Sequence, residues 1–202
     1  MKKKELEIIL QGVYPYSRPK ANLEQYLTPA EIAADILYIA FQFGDIEDKK
    51  VVDLGCGTGI FSTGAIIIGA KEVVGIEIDE DAIELAKKYS KENKLEIDFI
   101  SEDIENVNLK CDTVLMNPPF GAQKSNVKAD RKFIEKAFQI SNVIYSIHLS
   151  KTIQFIDKMV NSLDGKIDFA KDYSFKIKHI FDFHSKKYID FDVTLLRILT
   201  KK

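Results

Sequence analysis

The sequence predicts an α/β fold: a seven-stranded, mostly parallel sheet with helices on both faces and an antiparallel last strand. Three observations predict it. Short β-branched runs alternate with segments of helical period, the pattern of a parallel sheet with helical crossovers. The first such run ends in a glycine-rich turn, Asp53-Leu54-Gly55-Cys56-Gly57-Thr58-Gly59. The chain closes on two long alternating segments that suit an antiparallel pair, Lys166–Lys178 and Tyr188–Leu199. With 202 residues, 46% of them hydrophobic, one domain spanning 1–202 can fill its own core.

The elements follow in order. Lys50–Leu54 reads as a buried strand and Ile60–Ile68 as a helix closed near Gly69. Glu72–Ile78 is a second strand, and Glu80–Glu92 a helix that Asp79 caps. Leu95–Ser101 and Cys111–Met116 are strands three and four. Lys128–Ser141 is helical, with Phe133, Ala137 and Phe138 at core spacing. Asn142–His148 is strand five, followed by a helix over Ser150–Leu163 that ends at Gly165. Ahead of the first strand, Pro29–Phe43 reads as a helix whose start is marked by Thr28 as N-cap, Pro29 at the first helical position and Glu31. The irregular stretch Gly12–Leu27 before it cannot build a core, so residues 1–28 are expected to lie across the domain and close a site.

Composition narrows the function. The longest purely aliphatic run, Ala65–Ile68, is too short to span a bilayer, so no membrane role is expected. The opening Met1–Lys4 has the charge of a signal peptide, but Glu5 and Glu7 follow and no apolar run does. Two cysteines, Cys56 and Cys111, make neither a disulfide framework nor a metal site, and a cytoplasmic location is the expectation. Charge is uneven. Residues 40–110 hold 16 acidic and 8 basic side chains, residues 111–202 hold 10 acidic and 16 basic. A polyanion is therefore expected over the later half.

The glycine-rich turn reads as a nucleoside-cofactor cradle. Gly55, Gly57 and Gly59 permit a tight turn close to a ligand, where a β-carbon would intrude. The dinucleotide fingerprint would need glycine at position 60, which is Ile60. Asp53 instead offers a carboxylate to a cofactor with an amino-acid tail. Glu77, about twenty residues beyond the turn at the end of the second strand, stands where a carboxylate accepts ribose hydroxyls. Asp103 follows strand three and is a candidate for the adenine amino group, with Ile104 against the ring. These features suit S-adenosyl-L-methionine.

Asn117-Pro118-Pro119-Phe120 ends the fourth strand. An amino group on an aromatic ring is a poor nucleophile because its lone pair is delocalised. The Asn117 side-chain oxygen and the Pro118 carbonyl can accept its hydrogens and direct the lone pair out of the plane, with rate coming from alignment. Phe120 is expected to stack on an unpaired or flipped base. Lys124, Lys128, Arg131 and Lys132 follow and are candidates for phosphate contacts. Phe183, His184, Lys186 and Lys187, between the last two strands, suit single-stranded nucleic acid. His148 and His179 are expected to serve structure.

The chain resembles the methyltransferase-like protein five family, the archaeal and eukaryotic rRNA adenine-N6 methyltransferases, which are class I, Rossmann-like enzymes. The resemblance runs from Leu23-Glu24-Gln25-Tyr26 with Thr28, through Asp53–Gly57 and Asp79–Ala82, to Met116–Gly121. It continues through Val143-Ile144-Tyr145-Ser146-Ile147-His148 and Phe183-His184 with Lys186-Lys187. It implies that Gln25, Tyr26 and Thr28 close over S-adenosylmethionine, that Asn117–Phe120 is the catalytic motif, and that an adenine of small-subunit rRNA is the acceptor. It also implies a small zinc-binding activator protein at the sheet edge in eukaryotic members. Glu77 departs from the aspartate common in relatives but keeps the carboxylate. The motif serves amide nitrogens too, so DNA adenine or a protein glutamine is an alternative acceptor, and a non-catalytic RNA-binding or ribosome-assembly module a further one.

Overall fold

A computed structural model describes residues 1–120, 129–178 and 188–201. Seven strands form one sheet in the order β3-β2-β1-β4-β5-β7-β6. They are β1 (Lys50–Leu54), β2 (Glu72–Glu77), β3 (Asp98–Ser101), β4 (Thr113–Met116), β5 (Val143–Leu149), β6 (Gly165–Lys178) and β7 (Tyr188–Thr200). The first five run parallel, and β7 lies antiparallel between β5 and β6. Among the described residues six α-helices surround the sheet: α1 (Lys3–Leu10), α2 (Ala30–Gln42), α3 (Ile60–Ile67), α4 (Glu80–Glu92), α5 (Ala129–Ile140) and α6 (Ile153–Ser162). Among the described residues no helix is long and apolar enough to cross a membrane.

Side-chain alternation splits the core into two layers. Leu115 and Tyr145 point to one face, where Leu6, Leu10, Leu37 and Phe61 from α1, α2 and α3 meet them. Val114, Met116 and Ile144 point to the other, against Ile134 and Ala137 of α5 and Ile156 and Val160 of α6. Strand order reverses between β1 and β4, and Asp53 pairs with Leu115 in register. The turns that follow the two strands therefore emerge side by side, at the place where open α/β sheets bind ligands.

Several boundaries depart from expectation. Strand three begins at Asp98 rather than Leu95, and strand four at Thr113 rather than Cys111. The segment after β5 starts with a 3-10 turn, Ser150–Thr152, before α6. Helix α2 starts at Ala30 with Pro29 in the capping position and no side-chain cap. The expected cap by Thr28 is absent because its hydroxyl is engaged elsewhere. Helix α1 was not anticipated. Four of its eight residues are charged, yet Leu6 and Leu10, one turn apart, are 1% and 0% exposed and seat it on the first core layer.

Candidate active site

A cavity of about 270 Å³ opens at the C-terminal rim where strand order reverses. Its walls come from the turn after β1 (Gly55, Cys56, Thr58), the end of β2 (Glu77), the segment after β3 (Asp103, Ile104) and the turn after β4 (Asn117, Pro119). Gln25, Tyr26 and Thr28 line it from the N-terminal segment, and Lys132 and Phe133 from the start of α5.

The cradle turn is left-handed at all three glycines, with φ of +75°, +53° and +87° at Gly55, Gly57 and Gly59. The reason a β-carbon would intrude differs from the expectation. At Gly55 it would stand 2.8 Å from the Phe133 ring, and at Gly57 2.1 Å from the Tyr16 hydroxyl. The turn is compressed by protein side chains, and neither Gly57 nor Gly59 lines the cavity. Asp53 is likewise behind the wall. It is 1% exposed, and its Oδ2 accepts from the Ser62 backbone N–H (2.8 Å) and hydroxyl (2.6 Å). Burial pushes its carboxyl up to about 7, against the two Ser62 bonds and with a smaller push from Glu77.

Glu77 is 9% exposed and is held by three backbone N–H groups: Gly57 on Oε2 (3.0 Å), Ile78 (2.9 Å) and Asp79 (3.0 Å) on Oε1. Burial raises its pKa in spite of those bonds. The carboxylate is thus oriented at the rim of the cavity, with the turn and β2 locked together through it. Thr58 Oγ1 is buried and has no hydrogen-bond partner among the described residues, and Thr58 lines the cavity. An orphaned hydroxyl beside an oriented carboxylate fits a ligand that brings its own hydroxyls and polar edge.

The N-terminal segment is fastened to both halves of the rim. Gln25 donates from Nε2 to Asp79 Oδ2 (2.6 Å) and accepts the Lys20 backbone N–H (2.8 Å). Lys20 Nζ reaches Asp79 Oδ1 at 2.5 Å. Burial alone would raise the Asp79 carboxyl; these partners outweigh it and hold it low. Asp79 also caps α4 as expected, accepting from Asp81 N–H. On the other side, Tyr26 donates its hydroxyl to Asn117 Oδ1 (3.3 Å), and Asn117 Nδ2 donates to Thr28 Oγ1 (3.1 Å). The amide is thereby held at both ends, its oxygen accepting from Tyr26 and its nitrogen donating to Thr28. That oxygen faces the tyrosine, at the cavity.

Phe120 does not offer a free stacking face. It is 8% exposed and packs between Tyr26 (ring centroids 5.5 Å apart) and Phe191 (5.9 Å) in the first core layer. Tyr26, not Phe120, reaches the cavity. Pro118 is buried and Pro119 half-buried on the wall. Of the basic candidates, Arg131 pairs with Glu135 on its own helix (2.7 Å), while Lys132 pairs with Glu105 (2.7 Å) on the cavity wall. Lys124, Lys128, His184, Lys186 and Lys187 lie outside the described residues. Tyr16 and Phe133 are lining residues that motif reading missed. Neither belongs to a motif, and each reaches the cradle from far along the chain.

The methyltransferase small domain profile matches residues 30–142. An uncharacterized protein of Methanocaldococcus jannaschii is 41% identical, the alignment covering 98% of this chain and 94% of that protein. The rRNA N(6)-adenosine-methyltransferase METTL5 of Danio rerio is 38% identical, with 98% of each covered. The crystal structure of a Pyrococcus horikoshii protein, described as a candidate RNA methyltransferase, superposes with a TM-score of 0.92 at 38% identity, covering 100% of this chain and 99% of that one. A cavity between a glycine turn with its carboxylate and an Asn-Pro-Pro-Phe turn accompanies a likeness over nearly the whole chain, and the protein belongs to the METTL5 family of methyltransferases.

Proposed function

We propose that the protein transfers a methyl group from S-adenosyl-L-methionine to N6 of an adenine in RNA, in small-subunit rRNA. The observation that carries this reading is the meeting of Glu77 and Asn117 on one cavity. Glu77 would hold the ribose hydroxyls, Asp103 and Ile104 the adenine, and Gly55 the charged amino-acid tail, with Asp53 behind the wall acting on that charge through space. Gln25, Tyr26 and Thr28, in the segment 1–28, would cover the cofactor. S-adenosylmethionine supplies an electrophilic methyl group when bound.

The remaining work falls to the chain. Asn117, its amide held by Tyr26 at Oδ1 and by Thr28 at Nδ2, accepts one hydrogen of the acceptor amino group on Oδ1, and the Pro118 carbonyl accepts the other. The nitrogen lone pair then points out of the base plane toward the cofactor. No strong base is needed, since the proton leaves after transfer. Tyr26, backed by Phe120, is the aromatic surface available to the extruded base. The basic excess after residue 110 would guide the RNA.

A small zinc-binding activator protein is proposed at the β3 edge. This strand has a partner on one side only, Ile100 on it is 42% exposed, and Ile78 just past β2 is 53% exposed. A cytoplasmic workplace completes the proposal. Incubation with labelled S-adenosylmethionine and rRNA, duplex DNA or protein tests it, and label is expected in rRNA. Asn117→Ala should abolish transfer with cofactor affinity retained, whereas Glu77→Ala should weaken cofactor binding first. Label in DNA or protein alone refutes the acceptor; label in none, with an activator present, leaves a binding module.

A further inference from the structure

Outside the cavity walls, one buried polar chain stands directly behind the catalytic turn. His148 and Ser146 on β5 are both 0% exposed. The His148 ring bonds Ser146 Oγ through Nε2 (2.6 Å) and Asp130 Oδ1 through Nδ1 (3.0 Å). Ser146 pairs in register with Met116, the residue before Asn117, so His148 lies alongside the Asn117–Phe120 turn. Asp130 is in the first turn of α5, and Lys132 and Phe133 just after it form a wall of the cavity.

The chemistry of the three groups sets their roles. Asp130 Oδ1 faces Nδ1 and the Ser146 hydroxyl, which can donate or accept, faces Nε2. Each polar atom of the ring is thereby satisfied in an interior where an apolar side chain would cost less to bury. A fully satisfied buried network holds its members in one arrangement. Its terminal member is the start of the helix that follows the catalytic turn, 18 residues away from His148 in sequence. Phe120 is held in the Tyr26–Phe120–Phe191 stack, and Asp130 at the start of α5 is held by His148.

We propose that Ser146–His148–Asp130 is a positioning chain: it fixes the start of α5 against β5 and so holds the acceptor side of the site in register with Asn117. The proposal rests on the methyl-transfer reading above. His148 does not line the cavity described above, so it acts through Asp130 and is a positioning residue, not a catalytic one. Cofactor binding should be spared, because Phe133 is independently wedged against Gly55 and packed on the second core layer.

The test uses Asp130, whose side chain is 19% exposed and tolerates truncation better than the fully buried His148. In the full chain, Asp130→Ala should lower kcat for RNA about tenfold, as expected for a displacement well under 1 Å. KM for RNA, cofactor Kd and melting temperature should stay near wild type. Backbone amides of Arg131–Phe133 should exchange faster with solvent, and Asp130→Asn, which keeps an acceptor oxygen, should restore both exchange and kcat. Unchanged kcat and exchange in Asp130→Ala overturns the proposal. So does a parallel loss of kcat, cofactor affinity and melting temperature, which would make the chain merely structural. Should the wild type itself fail to methylate RNA, the methyl-transfer reading falls, while the exchange measurement still decides whether the chain holds α5.

Discussion

Asp53 gives the sharpest quantitative prediction, because its burial sets it against its own charge. The residue is 1% exposed, and its carboxyl is pushed from 3.8 up to about 7, chiefly by burial, with Glu77 adding to the rise and Ser62 opposing it. A raised folded pKa means that the folded protein prefers the neutral carboxyl. The stability it contributes is complete below about pH 4 and is lost as pH rises through 7. The interval from 3.8 to about 7, at about 1.36 kcal/mol for each pH step, caps that loss on the order of 4 kcal/mol. Asp53→Asn keeps an acceptor for Ser62 and removes the charge. In urea unfolding across pH 4.5 to 8.5 (~), the variant should gain on the wild type as pH rises and level off near pH 8. Glu77, raised too, titrates in both proteins and cancels to first order in the difference. Saturating S-adenosylmethionine, which brings positive charge toward Asp53, should shrink the gap, and wild-type affinity for it should rise with pH through 7 while that of the variant stays flat. Parallel stability curves, or a gap that opens only below pH 4, would refute the argument, since either would mean an ordinary ionised carboxylate.

At the opposite end of the strands, Arg197 binds Asp45 through Nε (2.8 Å) and Nη2 (3.2 Å), and Asp45 also accepts from Tyr145 (2.6 Å). Arg197→Ala should cost about 3–5 kcal/mol in denaturant unfolding, because it strands a buried carboxylate; a loss below 1 kcal/mol (~) would show that water replaces the guanidinium. Gly57→Ala should cost about 1–2 kcal/mol for its positive φ alone. It should also expel Tyr16 from the cradle, read as a fall in cofactor affinity by calorimetry, and unchanged affinity would remove Tyr16 from the site.

What the sequence disclosed depended on how far apart the cooperating residues lie. Strand periodicity and the turn at Gly55–Gly59 are local, so the parallel sheet, its order of elements and the antiparallel ending followed from pattern. Asp79 capping Asp81 spans two residues and was equally legible. Thr28 shows the limit. Its position before Pro29 and Glu31 satisfies every local rule for a helix cap, yet its hydroxyl bonds Asn117, 89 residues away. A pattern rule weighs only the backbone N–H groups next door, and here a tertiary partner offered an equally good hydrogen bond at a site that also organises an amide. Phe120 fails the same way: its neighbours Tyr26 and Phe191 come from opposite ends of the chain and turn an apparent stacking face into core. Helix α1 was hidden for a different reason. Eight residues, four of them the charged Lys3, Lys4, Glu5 and Glu7, carry too little apolar surface to signal a helix alone. Leu6 and Leu10 suffice only because α2 and α3 present a prepared surface to them. The residues that local rules misplace include those linking the first thirty residues to the cavity rim, and their long-range bonds make that segment one wall of the cavity.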